Sequence, residues 1–104
     1  MQKISQTSTP LAANGVFTGA TIDTANNTGD QLVVNLYSDQ ASAANGAVLQ
    51  GGDDAATWYP LAEGALTANT PLQLSAYIVH RYARVKLTNG ATAQTVLNVA
   101  AGIA

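Results

Sequence analysis

Short runs of alternating apolar and polar residues recur along this chain, and turn-forming residues separate them. In the run from Gln31 to Asp39, for example, Leu32, Val34 and Leu36 share one side of an extended strand. About eight such runs follow one another at intervals of roughly 8–12 residues, which is typical of sandwiches and barrels. No longer segment keeps the 3.6-residue apolar period of a helix. The pattern therefore predicts an all-β fold.

The predicted architecture is a single antiparallel β-sandwich, jelly-roll-like, with about eight short strands. Residues 1–12 are expected to form an N-terminal arm or edge strand, because Pro10 ends a weakly alternating segment. Residues 13–104 are expected to form the sandwich domain. A chain of 104 residues is long enough to bury one core.

Three local predictions refine this pattern. Residues 40–45 are rich in Ala and Ser and are expected to form one helical turn that ends at Asn45-Gly46. A short strand over residues 47–50 is expected to follow. Residues 58–61 are expected to form a further strand, and Pro60 places it at a sheet edge or a bulge because proline cannot donate a ladder hydrogen bond.

The segment from His80 to Val99 carries three of the four basic residues of the chain. It is expected to form two strands joined at Asn89-Gly90, a dipeptide that suits a tight hairpin turn. In the first strand one face holds the residues expected to meet solvent, namely Tyr82, Arg84, Lys86 and Thr88. The other face holds the residues expected in the core, namely Ala83, Val85 and Leu87.

The low charge of the chain restricts its partners. Charged residues make up 10% of the sequence, where about 25% is typical of soluble proteins. Two interpretations stay open: a small domain with a neutral polar surface, or a surface largely covered by identical or different subunits. The net charge of −2 provides no general basic field, so nucleic acid is not an expected partner.

The sequence also limits covalent chemistry and membrane association. Without cysteine there are no disulfides or thiolate metal sites. The N-terminal residues lack the apolar segment of a secretory signal, and no apolar run is long enough to span a membrane. No membrane partner and no cofactor are expected.

The candidate catalytic and metal-binding residues are few. His80 is the sole histidine, and no nucleophile motif accompanies it, so a structural or surface role is favoured. Asp53 and Asp54, with Asp30 or Asp39, could supply oxygens to calcium, but adjacent acids in a Gly-rich turn more often accept hydrogen bonds from their own backbone. The sequence predicts neither an enzyme nor a metal site.

The aromatic residues leave two pairs of alternatives open. Trp58 is either an anchor of the core, the favoured interpretation, or part of an exposed platform for stacking a sugar, together with Tyr82. Tyr82, Arg84 and Lys86 form either a contact surface for a partner or a solvated face whose cations oppose acids on a neighbouring strand.

Two fragments resemble known modules. Residues 51–58, GGDDAATW, resemble an "SDDG–W" hairpin, and residues 81–90, RYARVKLTNG, resemble an "RYVRVxxTNG" strand. The pair is similar to that found in small β-sandwich proteins of tailed bacteriophage virions and, more distantly, in discoidin-like carbohydrate-binding domains. This chain has Gly52 where the motif has Ser, and Ala55 where it has Gly.

The resemblance implies a virion structural protein: a capsid decoration or cement protein, or a head, neck or fibre component. Such a protein is expected to form a homo-oligomer, for instance a trimer, and to bind the major capsid protein or other virion proteins. The expected partner-binding residues are Tyr82, Arg84, Lys86, Lys3 and Ile4. The alternative function is a carbohydrate-binding module of a phage fibre or neck, with Trp58 and Tyr82 as the sugar contacts.

Overall fold

The chain folds into β-strands joined by turns and loops. The computed structural model describes the backbone of residues 2–104 and the side chains from Ser5 onward. It contains nine strands: β1 (Gln2–Thr7), β2 (Val16–Thr18), β3 (Ile22–Asp23), β4 (Gln31–Ser38), β5 (Ser42–Gly52), β6 (Tyr59–Gly64), β7 (Leu72–Tyr77), β8 (Tyr82–Asn89) and β9 (Leu97–Ile103). No helix in this part of the chain could cross a membrane.

The strands form two packed antiparallel sheets. The four-stranded sheet has the order β1-β9-β4-β7, and the five-stranded sheet has the order β2-β8-β5-β6, with β3 also paired to β8. Apart from the β5-β6 hairpin and the consecutive β2 and β3, each strand is followed in the chain by a strand of the opposite sheet. This arrangement is the double Greek key of a jelly roll. The predicted fold class is confirmed.

The core lies between the two sheets. Each long strand contributes its alternate apolar residues, as the sequence pattern predicts: Ala83, Val85 and Leu87 of β8 are buried, and the residues between them are half-buried. The largest fully buried apolar side chains come from both sheets and one loop, namely Leu32, Val34, Leu49, Leu66, Val85, Leu87, Leu97 and Val99. Burying such a side chain contributes about 1.5–3 kcal/mol, so these residues dominate the stability of the fold.

The predicted hairpin at Asn89-Gly90 is wrong. The strands on either side of it, β8 and β9, belong to different sheets, so this segment starts a crossover. The Asn89 side chain is buried, and its amide donates to the carbonyl oxygens of Ala12 and Thr92, both at 2.9 Å. Asn89 therefore holds two loops together at the end of the sandwich.

The region from 40 to 52 also differs from the prediction. Residues 40–45 form no helical turn; strand β5 runs from Ser42 to Gly52. Its pairing with β8 shifts between Ser42 and Ala47, and Asn45 within the shift has a φ of 50°. The extra residues form a bulge. The Asn45-Gly46 dipeptide therefore lies in this bulge, and the strand continues beyond it. The prediction for Pro60 is confirmed, because β6 is an edge strand and its pairing shifts beside Pro60.

Strand β1 lies at an edge of the four-stranded sheet and pairs with β9, where Gln2 lies opposite Ile103. The expected contact residues Lys3 and Ile4 belong to this strand, but their side chains fall outside the described residues. Their role in partner binding stays a prediction.

Candidate functional site

The outer face of the five-stranded sheet carries the basic and aromatic residues that the sequence singles out. Strand β8 is an inner strand of this sheet, between β2 and β5. Because side chains alternate along a strand, its outward residues line up on one surface. We call the surface formed by Trp58, Tyr82, Arg84 and Lys86 the basic-aromatic face.

Arg84 is held in place by two contacts. Its guanidinium carbon lies 4.3 Å from the centre of the Trp58 ring, within the range of a cation–π interaction. Its Nε donates a hydrogen bond of 2.7 Å to the side-chain oxygen of Gln50, which lies directly opposite on β5. None of the hydrogen bonds within residues 5–104 uses its two terminal amino groups. The guanidinium is therefore oriented by the protein while its outer N–H groups stay available.

A second arginine–aromatic contact lies at the start of β8. The guanidinium carbon of Arg81 is 5.1 Å from the centre of the Tyr82 ring. Arg81 also approaches Asp23 at 3.9 Å, between two exposed side chains, which is a weak ion pair. Two cation–aromatic contacts therefore lie close together, one at Arg84 on β8 and one at Arg81 immediately before this strand.

The acids expected to neutralise Arg84 and Lys86 are not opposite them. Gln50 lies opposite Arg84, and Lys86 lies between Val48 and Thr18. Among the side chains described, neither cation forms an ion pair. The interpretation of a face of cations opposed by acids is therefore wrong for these two residues.

The interpretation of Trp58 as a core anchor is also wrong. Trp58 is half-buried and lies outside the cluster of core side chains. It supports Arg84 on the outer surface instead. Its role as a sugar-stacking platform, together with Tyr82, stays a prediction, and the Arg84 guanidinium already occupies one side of the Trp58 ring.

His80 lies next to an acid at the surface. Its Nδ1 is 3.2 Å from a carboxylate oxygen of Asp53, and its ring stacks on Tyr59 with centroids 5.8 Å apart. The depression beside it is small, about 190 Å³, and is lined by Asp53, Asp54, Thr57 and Tyr59. Within the described residues, the side-chain hydrogen bond of His80 goes to Asp53 alone. The contact joins the loop after β5 to the segment before β8.

The acids proposed for calcium serve their own backbone. Asp54 accepts hydrogen bonds from the backbone amides of Thr57 and Ala56, at 2.8 and 2.9 Å. These bonds, with that of Thr57 the larger, hold the pKa of Asp54 below its usual value. This is the turn-type bonding that the sequence favoured. Residues 5–104 contain no group of three His, Cys, Asp or Glu side chains that could hold a metal.

Asp39 also accepts hydrogen bonds from the backbone, and it links the loop after β4 to the loop before β9. It accepts hydrogen bonds from the Thr95 hydroxyl and from the backbone amides of Thr95 and Val96. The Thr95 hydroxyl, followed by the Val96 amide, lowers the pKa of Asp39 from 3.8 to about 2. This carboxylate is therefore a structural group that ties the end of β4 to the start of β9.

Gln50 and the pairing of Trp58 with Arg84 are the parts of the site that sequence reasoning missed. Gln50 and Arg84 are 34 positions apart, and Trp58 reaches Arg84 from the loop before the edge strand. The available signal was weak: Gln50 is a polar residue at the end of an apolar run, at an outward position of its strand.

Comparison with known proteins identifies a family. The model of the family described as "Uncharacterised protein YqxG N-terminal domain" matches residues 1–103. The chain belongs to this family. No curated protein matches significantly.

Two solved structures share the fold. The first, the PBSX exported protein XepA, superposes with a TM-score of 0.87 at 16% sequence identity. The match covers 98% of this chain and 36% of XepA, so the chain spans about a third of that protein's length. The second, PirA, superposes with a TM-score of 0.63 at 12% identity and covers 98% of this chain and 97% of PirA. At these identities the likeness shows the fold.

Proposed function

We propose that this chain is a non-enzymatic structural module of a phage particle, which binds an acidic surface of another virion protein through its basic-aromatic face. If the chain is a decoration or cement protein, its partner is the major capsid protein. Stabilisation of the capsid would follow from bridging neighbouring copies of that partner.

The observation that carries this proposal is the orientation of Arg84. Trp58 and Gln50 restrain its guanidinium group, so less side-chain entropy is lost when a carboxylate binds its outer N–H groups. Arginine and tryptophan are also the residues most enriched among strong contacts at protein interfaces. Lys86, two residues further along the same strand, adds a second positive charge on the same side.

The phage context is supported by the likeness to XepA, an exported protein of the phage PBSX. The low charge of the chain agrees with a protein whose surface is largely covered in an assembly. Both observations support the class of protein, and the basic-aromatic face supplies the contact.

The test is the occupancy of phage particles by variants of this chain. Particles carrying wild type, Arg84→Ala with Lys86→Ala, or Arg84→Lys would be purified by gradient from the strain that encodes the chain, and the protein would be quantified by mass spectrometry. We expect the double variant to reduce occupancy at least about tenfold, since each lost contact at the centre of an interface costs about 1–2 kcal/mol or more. Arg84→Lys should also reduce occupancy, because lysine keeps the charge but loses the Nε–H donor to Gln50 and the guanidinium contact with the Trp58 ring.

The matched control is Gln31→Ala, an exposed residue of β4 in the opposite sheet. It should leave occupancy unchanged, and circular dichroism should show that all the variants fold. Wild-type occupancy of the double variant would rule out this face as the contact. Absence of the wild-type chain from purified particles would rule out the virion location itself.

The oligomer is a separate part of the proposal. Size-exclusion chromatography with light scattering on the isolated chain should give a multiple of 10.6 kDa, a trimer being the expected arrangement. A monomer at every accessible concentration would reject self-association. The contact with the partner would still be tested by the occupancy of phage particles.

A further inference from the structure

A groove crosses the outer face of the four-stranded sheet, on the side of the molecule opposite the basic-aromatic face. All four strands of this sheet contribute to its lining, together with the segment that follows β1. The groove is open to solvent and has a volume of about 940 Å³, within the range of roughly 300–1,000 Å³ found for small-molecule binding sites. The four strands beneath it span three spacings of about 4.8 Å, or about 14 Å.

The floor of the groove follows from the register of the strands. Ala100 on β9 lies between Gln6 on β1 and Asn35 on β4, and Asn35 in turn lies opposite Gln73 on β7. The four residues therefore form one row across the sheet. Because the alanine methyl group is short and its neighbours are long amides, the row is hollow at its second position.

Two amides in this row are held in a fixed orientation. The Gln73 side-chain nitrogen donates a hydrogen bond of 2.8 Å to the Asn35 side-chain oxygen. That bond leaves the Asn35 amide nitrogen as a donor and the Gln73 oxygen as an acceptor, on two exposed residues that lie opposite each other. No other side-chain hydrogen bond within residues 5–104 uses these two groups.

The remaining lining mixes polar residues with apolar ones, the latter being Leu36, Pro71, Leu72 and Val99. Thr7, Ser8 and Thr9 supply hydroxyl groups along one wall, and Tyr37 supplies a half-buried aromatic ring beside Asn98. Among the side chains from Ser5 onward, none that lines the groove is Asp, Glu, Lys, Arg or His. A ligand that relied on phosphate or carboxylate groups would find no cation here, so the groove favours a neutral ligand that is rich in hydrogen-bonding groups.

We propose that this groove binds a neutral oligosaccharide. Neighbouring hydroxyl groups of a sugar each donate and accept, so one can accept from the Asn35 nitrogen while the next donates to the Gln73 oxygen. Tyr37 offers an amphipathic ring to the less polar side of a sugar. This inference does not depend on the proposed function, and it places a sugar site away from Trp58 and Tyr82.

An extended peptide fits the groove less well. Peptides that bind to sheets usually add a strand at an exposed edge, where backbone N–H and C=O groups are free. The groove lies across the face of the sheet instead, where inner strands β4 and β9 already pair on both sides. A peptide would therefore have side-chain contacts alone, without the backbone hydrogen bonds that supply affinity when a strand is added.

The experiment is a binding screen with the full chain on an array of neutral and acidic oligosaccharides, followed by calorimetric titration of the best neutral binder. Two variants test the groove. Asn35→Ala removes the free donor, and Ala100→Leu fills the hollow floor without removing a hydrogen-bonding group. Each should weaken binding about tenfold or more, the effect expected for one lost hydrogen bond or for a blocked floor.

Two control variants separate this site from other surfaces. Gln31→Ala lies on the same strand as Asn35 and outside the groove, and Arg84→Ala lies on the basic-aromatic face; both should bind as wild type does. Thermal unfolding would confirm that each variant is folded. If Ala100→Leu does not fold, Asn35→Ala is by itself a sufficient test of the groove. The proposal is overturned if no neutral oligosaccharide binds, if only acidic ones bind, or if the groove variants bind as tightly as wild type. Loss of binding in Arg84→Ala would also overturn it.

Discussion

Replacing Ala55 with glycine should stabilise this protein. Ala55 lies in the loop between β5 and β6, is exposed, and has a φ of 58°. In this left-handed region the Cβ atom approaches the following carbonyl oxygen, which costs an L-residue about 1–2 kcal/mol. Glycine has no Cβ and adopts the same backbone without that cost.

The expected gain is smaller than the strain, because glycine also makes the unfolded chain more flexible. That effect costs about 0.4–1 kcal/mol. The difference leaves a net stabilisation of about 0–1.6 kcal/mol, with a central value of about 0.8 kcal/mol. For a chain of this size, the central value corresponds to a rise of roughly 3–6 °C in the midpoint of thermal unfolding.

Urea and thermal unfolding of Ala55→Gly and Ala56→Gly would test this reasoning. Ala56 is also exposed, but its φ is not positive, and its amide still donates to Asp54 when it is a glycine. Ala56→Gly should therefore lose about 0.4–1 kcal/mol, so the two neighbouring substitutions should have opposite signs. Destabilisation by both would show that the backbone at position 55 carries no strain that glycine can relieve.

Two further predictions concern buried and hydrogen-bonded polar groups. The stability that Asp39 contributes should be fully present above about pH 4 and decline as the pH falls towards 2, because its pKa is lowered from 3.8 to about 2. The difference in urea midpoint between wild type and Asp39→Asn should therefore shrink over this range, and a constant difference would contradict the role of the charge. Asn89→Ala should destabilise the fold by about 1–3 kcal/mol, because it removes a buried side chain and its hydrogen bonds to the carbonyl oxygens of Ala12 and Thr92. The exposed Asn98→Ala should change stability by less than about 0.5 kcal/mol, and equal effects of the two would contradict the role of Asn89.

The buried face of a strand was predictable from the sequence of that strand alone. In β8 the alternation of Ala83, Val85 and Leu87 with polar residues determines which face is buried, because a half-buried strand must separate the two kinds of side chain. The pairing of strands was less accessible. The Asn89-Gly90 dipeptide carries a strong local hairpin signal, yet the Asn89 side chain bonds to residues 77 positions away in the sequence, and the chain crosses to the other sheet.

In the candidate site, too, the features within one strand were predictable and those that depend on neighbouring strands were not. The common orientation of Tyr82, Arg84 and Lys86 follows from the two-residue period of a strand. The support of Arg84 by Trp58 and Gln50 depends on which strand lies beside β8 and on where the loop before β6 places its ring. The groove could not be predicted from the sequence for a similar reason. Each of four strands contributes one residue to its central row, namely Gln6, Ala100, Asn35 and Gln73.

The pairing of β1 with β9 has a mechanical consequence. Gln2 lies opposite Ile103, so the polypeptide enters and leaves this module at the same end of the same two neighbouring strands. Tension applied through flanking segments would pull these strands apart sideways and load their hydrogen bonds one after another, because those bonds run perpendicular to antiparallel strands. Under force, β1 should peel away first while the remaining strands stay folded, which would let the module lengthen under load and close again when the load is released.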